Sequence, residues 1–333
     1  MHKPPYDVVL KPYGKALVEL AQRRADVFCL GADLTRQTET DLIRDQMPER
    51  FISVGMAEAN MIGIAGGMAR AGHTVFVNSF GVFCTRRCYD QIAMAVAYPN
   101  LNVKIVGFMP GISSPGGPSH QAIDDVAMMR ALPNMTVVDL ADATEISQAV
   151  AAVAEHHGPV YLRLKRGEIP KIFDDTHRFS LTRAQVLMSG VEVCIVASGM
   201  MVPAALAAGQ ALTDCGVKTT VINAPVIKPL DCSTIVTQAR RARVVVTAEN
   251  HSTIGGLGSA VAEALAEAAV GVPLRRVGLR DVFAESGSRE YLFEKYRLGV
   301  KDIVDAAWSQ VGDDRPRPQV REIQSLPGTY APV

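Results

Sequence analysis

Short, almost wholly apolar runs alternate with longer amphipathic stretches along most of this chain, and that alternation limits its fold more than any other feature. Runs at residues 27–30, 52–54, 74–77, 103–107, 136–138 and 160–164 are rich in Val, Ile and Leu and carry few charges. Between them, helical periodicity runs through 13–23, 58–70, 85–97, 124–131 and 143–156. Strands that read as continuous apolar runs are buried on both faces, and parallel neighbours need a helical crossover between them. The pattern predicts an α/β fold, a mostly parallel sheet flanked by helices.

The same grammar returns further on. Runs at 193–197, 219–222 and 244–248 alternate with helical stretches at 202–215, 234–240 and 257–269. A length of 333 residues suits two domains. We therefore expect two α/β domains, each a mostly parallel sheet flanked by helices, at 1–168 and 190–312. Residues 169–189, richer in charge and carrying Pro170, read as a linker. Periodicity is lost after 312, so 313–333 read as a surface tail.

Charge narrows the choice of partner. Lys plus Arg and Asp plus Glu both number 34, a balance that argues against nucleic acid or an anionic membrane as the natural partner. No run is long enough to span a bilayer, and residues 1–11 have no apolar signal core, so the cytoplasm is the expected compartment. The cysteines, Cys29, Cys84, Cys88, Cys194, Cys215 and Cys232, form no C-x-x-C pair and read as packing residues in a reducing compartment. A Rossmann glycine fingerprint and a Walker A sequence are both missing. Gly255, Gly256 and Gly258 precede a helical stretch and could offer backbone N–H groups to an anion, although a tight turn is the commoner use of such glycines.

The most informative stretch is 51–68, FISVGMAEANMIGIAGGM. Here a strand gives way to a helix that carries Glu58 in its first turn. A carboxylate there can simply complement the helix dipole. This helix, however, is apolar on nearly every face, and a carboxylate leading a buried helix needs a partner for its charge or its proton. Phe80 and Phe83 follow in FVNSFGVFCTRRCYDQ, His120 lies in GGPSHQAIDD, Asp33 and Leu34 lie in GADLT, and Arg166 ends VYLRLKR.

Together these motifs resemble the transketolase family, across essentially the whole chain. The resemblance implies that Glu58 hydrogen-bonds N1′ of the aminopyrimidine of thiamine diphosphate and favours its imino tautomer. It implies that Phe83 stacks on that ring, that Phe80 walls the pocket, and that Asp33 and Leu34 lie near the cofactor. His120 is then the residue that hydrogen-bonds the donor sugar, and Arg166 the one that binds its phosphate. Other substrate-facing positions depart from the family pattern. Gly116 stands where an aspartate is usual, Phe108 where a phosphate-binding histidine is usual, and Gln37 where a serine is usual; Lys11 lies beside the position of a missing arginine. The resemblance therefore implies an unusual ketose, branched or sulfonated for example.

The family's diphosphate-binding Gly-Asp-Gly and paired asparagine do not occur in this sequence. The chain is thus expected to be the second subunit of a split transketolase. Its partner, an N-terminal subunit, would supply the ligands for Mg2+ and the diphosphate, in an α2β2 heterotetramer with the cofactor across the interface. Two other readings stand beside this one: the beta subunit of a 2-oxo-acid dehydrogenase-type decarboxylase, and a catalytically inactive assembly subunit.

Overall fold

The computed structural model describes residues 6–312 and 315–320. Among them the two expected α/β domains are present. The first opens with β1 (Val8–Leu10), α1 (Pro12–Arg23), β2 (Val27–Gly31), α2 (Asp41–Gln46), β3 (Phe51–Ser53), α3 (Glu58–Arg70) and β4 (Thr74–Phe80). It continues through the short helices α4 (Gly81–Thr85) and α5 (Tyr89–Gln91) to β5 (Val103–Phe108), α6 (Asp125–Ala131), β6 (Thr136–Asp139), α7 (Ala143–Glu155) and β7 (Val160–Leu164). After β8 (Glu168–Pro170) and β9 (Gln185–Met188) come β10 (Val193–Ala197), α8 (Val202–Asp214), β11 (Thr219–Asn223), β12 (Val226–Lys228) and α9 (Cys232–Ala239). The chain finishes with β13 (Val244–Ser252), α10 (Leu257–Glu267), β14 (Leu274–Leu279), α11 (Arg289–Lys295) and α12 (Val300–Val311).

The first sheet has the order β12-β6-β7-β5-β4-β2-β3 and the second β14-β13-β10-β11-β9, with parallel pairing except at the β12 and β9 edges. Every residue of β4, β5 and β7 is buried, as strands covered by helices on both faces require. In a sheet of this kind the loops that leave the carboxyl ends of the strands share one edge, where ligands are usually held. The segments that leave those ends here carry Asp33 after β2, Glu58 at the start of α3, Phe83 in α4, His120 after β5 and Arg166 after β7.

The structure adds detail to two sequence expectations and corrects a third. The linker is partly strand: Glu168–Pro170 pairs antiparallel with β1, and Gln185–Met188 forms the antiparallel edge of the second sheet. The domain division also leaks. The short β12, from the second half of the chain, closes the first sheet by pairing Val226 with Val138. Finally, residues 85–97 are not one helix. A 3-10 turn at Arg86–Cys88 and a π-helical turn at Ile92–Ala97 interrupt it. The π turn packs close to α3, where a Cβ on Gly66 would lie 2.6 Å from the Ala95 carbonyl oxygen, so only glycine fits.

The domains meet through a buried polar cluster set among apolar side chains that both contribute. Arg163 of β7 reaches Asp125 at 2.7 Å and Asp139 at 3.2 Å and donates to the Asn250 carbonyl at 3.0 Å. Ser198 donates to Asp139 at 2.8 Å, and the Asn250 amide donates to the Pro110 carbonyl at 2.9 Å. Burial opposes charge at Asp125, yet Arg163 and His251 outweigh it and hold that carboxyl below its usual value; at Asp139 burial wins and the carboxyl is raised. Of the tail, 315–320 follows the second domain, with Arg315 on Glu192 at 3.0 Å and Arg317 on Asp305 at 2.6 Å. The rest of the tail lies outside the described residues. Among the described residues, no helix is long and apolar enough to cross a membrane.

Candidate active site

Glu58 is the first residue of α3 and is 1% exposed. The extended backbone of β3 breaks at Gly55, with φ +71°, and turns into the helix three residues later. Burial at a helix N-terminus sets up a demand that the surroundings meet on both oxygens. Ser79, near the end of β4, donates to Oε1 at 3.2 Å, and Arg87 donates to Oε2 at 2.8 Å. A buried carboxylate with charge-assisted partners is held in one orientation.

An aromatic wall stands beside it. Phe80 ends β4 and is nearly buried; Phe83, one turn on, is half-buried. Their rings are near parallel, 19° apart, with centroids separated by 6.0 Å. The His120 ring meets Phe83 edge-on at 5.2 Å and Phe80 at 6.4 Å, and its Nδ1 is 2.9 Å from the Ser119 hydroxyl. His120 ends a single 3-10 turn, Pro118–His120, that Pro118 starts. That turn is held from the second domain: Gln121 donates to the Glu285 carbonyl at 3.1 Å, and Gly117, at φ +72°, lies so close to Ser286 that a Cβ would come within 2.5 Å of its hydroxyl oxygen.

The remaining expected site residues divide. Asp33 is exposed, and Leu34 and Gln37 are half-buried, in the turn after β2 where Thr38 N–H donates to the Leu34 carbonyl at 2.9 Å. Gly116 backs onto His120, and a Cβ there would lie 3.0 Å from the imidazole Cγ. Arg166 is exposed and lines a cavity of about 370 Å³ with Lys165 and with Arg289 of α11. Burial pushes the Lys165 ammonium down to about 8. Phe108 is 0% exposed, its ring edge-on to Tyr13 at 5.6 Å, so it has no face open to a substrate.

The glycines at 255–258 do not present an open anion site. The Glu249 carboxylate already takes the N–H groups of Leu257 at 2.7 Å and Gly258 at 2.9 Å, and burial raises its pKa to about 7. Sequence reasoning passed over Ser79, Arg87, Lys165 and Arg289. Arg87 had a signal, since it stands one helical turn beyond Phe83; the others had none.

Comparison with known proteins bears on this arrangement. The pattern described as "Transketolase, pyrimidine binding domain" matches residues 9–171, and "Transketolase, C-terminal domain" matches 182–303. A 6-deoxy-6-sulfo-D-fructose transketolase subunit from Clostridium sp. is 44% identical over 296 residues, which cover 89% of this chain and 92% of that protein. A 1-deoxy-D-xylulose-5-phosphate synthase from Prochlorococcus marinus is 36% identical over 281 residues, 84% of this chain but only 44% of the synthase. Among solved structures, a split-gene transketolase described as an inactive beta4 tetramer superimposes with a TM-score of 0.85 at 42% identity, covering 92% of this chain and 99% of that one. The chain belongs to the transketolase family.

Proposed function

We propose that this transketolase-family chain is the pyrimidine-binding half of a two-component thiamine-diphosphate enzyme that moves a two-carbon ketol unit from a ketose to an aldehyde. The observation that carries the reading is Glu58, a fully buried carboxylate that opens a helix one side chain away from the ring of Phe83. A flat aromatic face beside a dry carboxylate fits an aminopyrimidine, which needs a stacking surface and an acid at N1′. Bound there, the cofactor would supply a thiazolium carbon that adds to a ketose carbonyl and takes up the electron pair when the adjacent carbon–carbon bond breaks.

The chain's own residues have definable tasks in this reading. Glu58 holds a proton against ring N1′, and Ser79 keeps its other oxygen oriented. Phe83 and Phe80 exclude water from that contact. His120, fixed against both rings, hydrogen-bonds the donor's hydroxyl and moves its proton as the bond breaks. Asp33 and Leu34, in the turn after β2, would lie near the bound cofactor. Among the described residues, no group of three or more His, Cys, Asp or Glu side chains could hold a metal ion. Because the family's Gly-Asp-Gly and paired asparagine do not occur in this sequence, we assign Mg2+ and the diphosphate to an N-terminal partner subunit in an α2β2 assembly. That the related beta4 tetramer is described as inactive supports the need for a second kind of subunit. We divide the chain into a pyrimidine-binding domain at 1–168, a linker at 169–189, a C-terminal domain at 190–312 and a tail.

The donor, in this reading, is a ketose whose far end is an anion. The cations Arg166, Lys165 and Arg289 around one cavity support it, and so does the relative named for a sulfonated fructose. Gly116, in place of the usual aspartate, removes one hydroxyl reader beside His120.

The test is reconstitution. The chain alone should transfer no two-carbon unit from fructose 6-phosphate or its 6-sulfonate analogue to an aldehyde, and adding the partner should start transfer. Turnover by the purified chain alone would refute the subunit assignment. The similarity to a deoxyxylulose-phosphate synthase supports a second reading, decarboxylation of a 2-oxo acid. Release of carbon dioxide from pyruvate by the pair, without ketol transfer, would favour it. An inactive assembly role predicts neither reaction.

A further inference from the structure

We propose that Arg87 is a built-in placeholder, its guanidinium filling the slot between Glu58 and Phe83 that a planar nitrogen heterocycle would occupy, so that it must swing out before the heterocycle enters. The inference rests on the pyrimidine-site reading above and adds to it a competitor within the chain.

Two contacts carry the argument. Arg87 Nη1 donates to Glu58 Oε2 at 2.8 Å, and the guanidinium carbon lies 4.4 Å over the centroid of the Phe83 ring. These are the acid and the stacking face that the aminopyrimidine needs, and one side chain holds both. The substitution is chemically apt. A guanidinium is a flat N–C–N unit with in-plane N–H donors, which matches the amidine edge of an aminopyrimidine. A group 4.4 Å above the ring is already in van der Waals contact, so nothing else can stack on that face while it stays.

Exposure decides which partner yields. The Arg87 side chain is 43% exposed and can leave for water, whereas the Glu58 side chain is 1% exposed and cannot. The backbone beneath Arg87 suits such a move. It sits in the 3-10 turn Arg86–Cys88, between helical pieces that do not continue one another, and is followed by the π-helical turn. Its neighbour Arg86 is tied elsewhere, to Asp124 at 2.9 Å, so the two adjacent arginines have separate tasks. Glu58 therefore exchanges a cation within its own chain for a ring nitrogen, while Ser79 stays on its other oxygen.

The test uses the full chain, wild type and Arg87→Met, with 4-amino-5-hydroxymethyl-2-methylpyrimidine and thiamine diphosphate as probes in titration calorimetry. Arg87→Met should bind the aminopyrimidine about tenfold more tightly. Arg87→Lys, whose ammonium cannot lie flat on the ring, should fall between the two and guards against a misfolded Met variant. In wild type, the Arg87 Nε–H resonance should move to the position of a free arginine as the probe saturates. Unchanged or weaker binding by both variants, or an Arg87 signal that stays paired at saturation, would overturn the proposal while leaving the pyrimidine site intact. If neither variant, wild type nor the reconstituted pair binds either probe, the pyrimidine site itself is refuted and the placeholder with it.

Discussion

Replacing Arg163 by Met asks how much the polar cluster between the domains contributes. The side chain is 1% exposed and is paired with Asp125 and Asp139, both within a few per cent of complete burial. Its Nη2 also donates to the Ala122 carbonyl at 3.2 Å and the Asn250 carbonyl at 3.0 Å. Methionine fills much of the volume, so the main loss is electrostatic: two carboxylates are left without their cation in a place water does not reach. Breaking a buried pair from one side costs about 3–5 kcal/mol. For a chain of this size that corresponds to a fall in melting midpoint of roughly 4–7 °C. Thermal unfolding followed by circular dichroism reads this directly. The double variant Arg163→Met with Asp125→Leu removes one stranded charge and should recover part of the loss. A fall of less than about 1 kcal/mol, or a double variant as unstable as the sum of its singles, would refute the argument from unpaired buried charge.

Three further outcomes follow from particular residues. Lys104, fully buried in β5, donates to the His156 and Gly158 carbonyls at 2.7 Å each, and burial lowers its pKa to about 7 from 10.5. Between those values the unfolded chain holds the extra proton, so this group makes unfolding harder as pH rises, by about 1.4 kcal/mol per pH unit. Urea melts of wild type and Lys104→Met from pH 7 to 10 should differ by that slope, and parallel curves would contradict it. Gly117→Ala puts a side chain at φ +72° and against Ser286, and should cost about 1–3 kcal/mol in the same melts, with no loss meaning that the two loops separate freely. His120→Ala should lower ketol transfer by the reconstituted pair about 10²–10⁴-fold while leaving the melting midpoint of the half-exposed site nearly unchanged; full activity would remove His120 from the mechanism.

Much of the fold was legible because burial on both faces writes itself into a strand. Every residue of β4, β5, β7, β10 and β11 is buried, and the runs at 74–77, 103–107, 160–164, 193–197 and 219–222 stand out accordingly. Short edge strands lack that signature. Val226–Lys228 and Glu168–Pro170 are three residues long and paired on one side, so their partners decide that they are strands at all. The reading of the second domain stopped at residue 269 and omitted α12, although Val300, Ile303, Val304, Ala307 and Val311 follow plain helical spacing. The interruption of 85–97 by a π turn was not readable, because apolar periodicity does not report which carbonyl an N–H chooses. At the site, Glu58, Phe83 and His120 were singled out through motifs, and the structure places the rings of Phe83 and His120 in contact. Arg87 was missed as a partner of Glu58 because the two are 29 residues apart and only the sheet brings them together. Phe108, singled out because a phosphate-binding histidine is usual at its place, is packed inside the core.

The most direct measurement follows hydrogen–deuterium exchange at C2 of thiamine diphosphate, by proton NMR, with the pair reconstituted from wild-type or Glu58→Gln chain. If Glu58 activates the aminopyrimidine, the wild-type pair speeds exchange far beyond the free cofactor, and the Gln variant, though it still binds, falls by about 10²–10⁴-fold. Equal exchange in the two pairs would contradict the account at its root.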